Sequence, residues 1–139
     1  MKKNIEDFED IKLLVNTFYV KVKRDEKIGF IFNDVAQVNW ENHLPKMYSF
    51  WETILLGKVS FRGNPILKHL ILNNKIKLTD EHFKQWIFLW NETIDELFTG
   101  KLAENAKSKA ELIKNLMVAK IAQSNSGNEQ NGFKIVAES

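Results

Sequence analysis

No cysteine occurs in the 139 residues. That absence removes disulfide staples, thiolate zinc sites and a thiol nucleophile together. Long apolar runs are also missing: nothing approaches the roughly 20 consecutive apolar residues of a membrane span. Nor does charge of one sign dominate. The 20 basic residues nearly balance 18 acidic ones, for a net charge of +2, and no basic block interleaves with aromatics. A nucleic-acid partner is therefore not expected, and neither is a membrane. The opening Met1-Lys2-Lys3-Asn4-Ile5-Glu6-Asp7 holds no apolar signal core, which with the missing cysteines points to the cytoplasm. No internal repeat is present.

What the chain does have is aromatic mass. Its 10 Phe, 4 Trp and 2 Tyr suit a core, and equally suit the walls of a planar cofactor pocket. The apolar residues recur at steps of three and four, the period of a half-buried helix. A first stripe runs Phe8, Ile11, Leu14, Val15, Phe18, Tyr19, Val22, with Asn4 or Asp7 as cap and Gly29 beyond its end. Phe30 to Asp34 reads as one tight turn. A second stripe, Trp40, His43, Leu44, Met47, Phe50, Trp51, Ile54, Leu55, is capped by Asn39 and stopped by Gly57. Pro45 lies inside it, so that helix should start late or bend. After the break at Gly63-Asn64-Pro65, residues 66–72 predict a short helix. A third long stripe, Phe83, Trp86, Ile87, Trp90, Ile94, Leu97, Phe98, follows a cap at Thr79 or Asp80 and ends at Gly100. A fourth spans about Leu102 to Ile121. The reading is one all-α domain over residues 1–123, followed by a polar tail, 124–139, that is expected to be disordered.

A few side chains in this frame can carry chemistry. His43 lies on the apolar face of the second helix, with Met47 one turn on and Trp51 two turns on. Such a row fits a helix laid over a flat cofactor, and also a core helix that tolerates one histidine. His69 follows a Gly-x-Pro break within a short apolar segment. It reads either as an iron ligand, which needs a held backbone and an acceptor for its second nitrogen, or as a half-buried surface histidine. Tyr19 needs a partner for its hydroxyl, a bound ligand or a backbone carbonyl. Trp86 offers an indole N–H for the same two purposes. His82, beside Glu81, reads as a solvated first-turn residue. Two apolar-segment histidines in an aromatic-rich helical chain suggest a haem site, one on the metal and one facing the ligand.

Taken in order, Phe18-Tyr19, Phe32, Trp40-x-x-His43-Leu-Pro-Lys46-Met47-x-x-Phe50-Trp51, Gly63-x-Pro65-x-x-x-His69 and Trp86 resemble the truncated haemoglobins, closest to the bacterial third group. The resemblance covers about residues 5–122. It implies a two-over-two helical sandwich around haem b. It implies His69 as proximal iron ligand, His43 as distal histidine, and Tyr19 and Trp86 as donors to the ligand. Phe18, Phe32, Met47, Phe50 and Trp51 would line the pocket. From charge and spacing, rather than from the resemblance, Lys46, with Arg62 and Lys68, is a candidate partner for a haem propionate. The loop after His69, with Asn73, Asn74 and two lysines, departs from the family pattern, and the glycine pairs of other truncated globins are missing.

The function so implied is binding of oxygen, nitric oxide or carbon monoxide at a five-coordinate haem iron. Several donors around bound oxygen favour slow release, which suits oxygen/nitric oxide redox chemistry or detoxification, with a nitric oxide dioxygenase or peroxidase-like activity and a reductase as partner. A non-catalytic oxygen carrier or sensor would use the same pocket. A cofactor-free all-α interaction module is the third reading, and the helical stripes alone would permit it.

Overall fold

The computed structural model describes residues 2–36, 38–58 and 77–125. Within them lie four α-helices, α1 (Phe8–Arg24), α2 (Trp40–Leu56), α3 (Asp80–Leu97) and α4 (Lys101–Asn125), and a π-helical turn, Ile31–Val35, between α1 and α2. Each helix begins where a side chain can take up its orphan amides. The Asp7 carboxylate accepts from the Asp10 N–H at the start of α1. Asn39 does the same for Asn42 at α2, and Thr79 for His82 at α3. Of the paired expectations, Asp7 and Thr79 are the caps, and Asn4 is used elsewhere.

Helix α2 does not start late: of the two expectations for Pro45, a late start or a bend, the first is overturned, because the proline sits inside the helix. Its ring takes away the N–H that would have reached the Glu41 carbonyl and crowds that carbonyl, one local defect that a helix capped by Asn39 runs through. The helix ends at Gly57, whose φ of 73° is the left-handed stop. At the other end of the chain α4 extends one turn beyond the predicted stripe, to Asn125. The predicted short helix over 66–72 and the tail from 126 lie outside the described residues.

Helix α1 packs against α2 and α3, while α4 packs against α3 and α2. One pair is thus laid over the other, the two-over-two arrangement of the truncated globins. The apolar face of α1, with Ile11, Leu14, Val15, Phe18 and Val22 almost wholly buried, meets Trp51 and Leu55 from α2 and Leu89, Trp90 and Ile94 from α3. Helix α4 contributes Ala103, Ala106 and Ala110 to the same core. Small residues there let its backbone come close enough for the Trp90 indole to donate to the Ala106 carbonyl at 3.1 Å. A smaller cluster of Phe83, Met117 and Ile121 closes one end of the α3–α4 pair. No helix among the described residues is long and apolar enough to cross a membrane.

Candidate functional site

The stripe on α1 brings Phe18 and Tyr19 to the side covered by α2 and α3. Tyr19 is 7% exposed and stands at the centre of an aromatic group. Its ring meets Phe18 at 4.8 Å, His43 at 5.2 Å, Trp40 at 5.3 Å and Phe32 at 6.0 Å, centroid to centroid. Three of the four contacts are edge-to-face, the arrangement that aligns ring edges with π faces. Burial pushes the Tyr19 phenol above its usual range, so it keeps its proton and remains a donor. His43 faces Trp40 as well, at 5.6 Å, and its Nε2 is buried. The distal pair that the resemblance implies is therefore together in space.

Local backbone makes this meeting possible. After α1 the chain folds back tightly. A Cβ on Gly29 would sit 2.9 Å from the carbonyl oxygens of Val22 and Lys23, so only glycine allows the approach. The Asp25 carboxylate holds the turn by accepting from the N–H groups of Lys27 and Ile28 at 2.8 and 3.0 Å. The π-turn that follows sets Phe32 against Tyr19 and stacks it on Trp40 at 6.1 Å and 22°. Lys23 lies over the outer face of Trp40, its ammonium 4.6 Å from the ring centroid, a cation–π contact that pins the indole.

Phe32 is also one wall of an apolar cleft, partly open to solvent and lined by Ile28, Ile31, Leu78, His82, Phe83, Trp86 and Met117. An apolar, aromatic lining with a few polar groups is the kind found in small-molecule and cofactor sites. Trp86 joins the cleft to the aromatic group through Phe18, at 6.1 Å, and lies parallel to Trp90 at 6.5 Å and 6°.

The other expected residues fall as follows. Met47 and Phe50 are partly buried against the core. Trp51 is stacked on Trp90 at 4.4 Å and is as much core as wall. Lys46 is exposed on α2. His69, Arg62 and Lys68 lie outside the described residues. His82 is half-buried and not simply solvated. Its Nδ1 accepts from the Thr79 N–H at 3.1 Å, and its own N–H donates to Thr79 Oγ1 at 3.4 Å. Trp40, Lys23 and the far wall of the cleft were not assigned a role from the sequence. Trp40 carried a signal, one turn before His43 at the head of the stripe; Ile28, Leu78 and Met117 carried none.

The donor set fits a flat, largely apolar cofactor that binds a small polar ligand. It offers a protonated buried phenol, a buried imidazole nitrogen and an indole N–H, set among aromatic faces. Comparison with known proteins points the same way. The family model for bacterial-like globins matches residues 4–122. A group 3 truncated hemoglobin of Campylobacter jejuni is 31% identical over 108 residues, covering 76% of this chain and 83% of that protein. The crystal structure of the group III truncated hemoglobin from Campylobacter jejuni superposes with a TM-score of 0.76 at 27% identity, covering 87% of this chain and 95% of the other.

Proposed function

The chain belongs to the bacterial-like globin family, among its group III truncated haemoglobins, and from that premise we propose that it holds haem b with His69 on the iron and binds diatomic gases on the Tyr19–His43 side. When bound, the haem supplies a metal that coordinates oxygen, nitric oxide or carbon monoxide and exchanges electrons. The chain supplies the rest. Phe32, Trp40 and Phe18 keep water from the distal space. The Tyr19 hydroxyl and the Trp86 indole act as donors to a ligand that carries partial negative charge. Each such bond contributes about 1 kcal/mol or more in a dry pocket. His43, beside Tyr19, can add a donor or hold a proton for the ligand. The observation that supports this reading most is the buried Tyr19–His43 contact at 5.2 Å.

A pocket with several donors favours retention of oxygen over its delivery. Oxygen/nitric oxide chemistry is the activity this suits. Nitric oxide, oxygen and one electron balance to nitrate, so turnover requires a reductant and, in the cell, a reductase. The purified protein should show a Soret band and shift it on addition of carbon monoxide. His69→Ala should lose haem to a scavenger at least tenfold faster than wild type; equal retention would remove His69 from the iron. Mixed with oxygen, nitric oxide and a reductant, the protein should form nitrate over many turnovers. One stoichiometric event without turnover would leave a carrier or sensor.

A further inference from the structure

His82 does more than begin a helix. Among the described residues that line the cleft, it and the Trp86 indole are the side chains that carry a polar nitrogen. The capping box with Thr79 takes its Nδ1 as an acceptor. An imidazole that accepts at Nδ1 carries its proton at Nε2. The ring is steadied from one side by Phe30, edge-on at 6.5 Å. A fixed tautomer on a half-buried, steadied ring thus leaves Nε2–H as the ring's remaining donor, on a residue that lines the cleft.

Among the described residues, the charged groups near His82 in sequence are engaged with one another. Lys27 pairs with Glu81 at 3.8 Å and Lys84 with Asp80 at 3.0 Å. The Gln85 amide donates to Asp25 at 2.6 Å. An apolar cleft bordered by an imidazole with a remaining N–H, in the first turn of a helix, suits an amphiphile with an apolar body and a carboxylate. We propose that His82 is a cofactor-binding residue whose Nε2–H donates to a carboxylate of the bound haem. The inference rests on the haem reading above. It adds a residue from α3 to the lysines and arginine expected from charge alone.

The capping role must be separated from the binding role. Glu and Gln are the preferred residues at this position of a capping box, so His82→Glu keeps the cap while replacing the donor by a negative charge. His82→Gln keeps the cap without adding charge. Full-length wild type and both variants are loaded with haemin or with haemin dimethyl ester, and loss to excess apomyoglobin is followed at the Soret band. In wild type, esterification should speed loss by about tenfold or more, the value of a hydrogen bond to a charged acceptor. In H82E the free acid should be lost at least tenfold faster than from wild type, and esterification should speed loss much less. H82Q should fall between. Urea midpoints of the apo forms should stay together, because the cap is kept. An equal effect of esterification in all three proteins would overturn the proposal while leaving the haem reading intact. Wild type that takes up no haemin would overturn both.

Discussion

At the scale of single residues, Tyr19 is where packing and function meet. It is buried among four aromatic rings and keeps its proton because burial disfavours the phenolate. Tyr19→Phe removes one hydroxyl and leaves the ring contacts in place. Oxygen dissociation, measured by stopped flow against carbon monoxide, should quicken about fivefold to tenfold, the equivalent of about 1 kcal/mol. An unchanged rate would take Tyr19 out of the donor set. A second residue, Asp10, makes a prediction in pH. Burial works against its charge, yet the Lys3 ammonium at 2.5 Å and the Glu6 N–H at 2.9 Å outweigh it and hold the carboxyl below its ordinary range. A carboxylate depressed on folding stabilises above its unfolded value of about 3.9 and loses that contribution as pH falls through the lower, folded value. Asp10→Asn should therefore be less stable than wild type near neutrality. The gap between the urea midpoints should narrow as pH drops below about 4. A gap that holds constant to pH 2 would assign the difference to something other than the charge.

Among the helices, the amino end of α4 shows what local sequence can and cannot reveal. It is capped by a residue from the far end of the chain. The Asn4 side-chain oxygen accepts from the N–H groups of Leu102 and Ala103 at 3.1 and 3.3 Å. Gly100 makes room: its φ is 123°, and a Cβ there would lie 2.7 Å from the Asn4 side chain. Thr99 ties the same strand of chain down by donating to the Lys3 carbonyl at 2.9 Å. Asn4→Ala should cost about 1–2 kcal/mol in urea unfolding, as for loss of an N-cap. A change below 0.3 kcal/mol, on the scale of about 0.5 expected for surface sites, would show that water replaces Asn4. From sequence, Asn4 reads as a cap for α1, because spacing carries no word of a partner near residue 102. The stripes of α1, α2 and α3 were legible, since helical period and local caps are short-range properties. The aromatic group was legible only in part. Tyr19 and His43 met through the resemblance, but the fold-back at Gly29 that brings Phe32 to both, and the cleft shared by Ile28, His82 and Met117, are made by long-range packing. His82 shows the same limit: its first-turn place follows from Thr79, while its place in the cleft depends on a turn more than fifty residues earlier.

For the whole molecule, Trp90 is the point through which the two helix pairs are coupled. It is 1% exposed. From α3 it stacks on Trp51 of α2, receives the edge of Phe18 of α1 at 5.0 Å and donates to the Ala106 carbonyl of α4. All four helices thus meet at one indole, and Trp86 of the cleft lies parallel to it. Trp90→Phe removes that hydrogen bond and leaves a void the size of the lost ring, which packed neighbours fill only in part. The expected cost is about 2–3 kcal/mol. Phe88, two residues away on the same helix, is 56% exposed, and Phe88→Ala should cost no more than about 0.5 kcal/mol. Because the contacts of Trp90 span both layers, the urea slope should stay at its wild-type value while the midpoint falls, the sign that the pairs still unfold together. Two resolved transitions, or a cost for Trp90→Phe no greater than for Phe88→Ala, would mean that the pairs are held by contacts other than this one. Haem loss offers an independent reading of the same coupling. With Trp86 no longer backed by an indole, the holo form of the variant should release haem faster than wild type, whereas Phe88→Ala should release it at the wild-type rate.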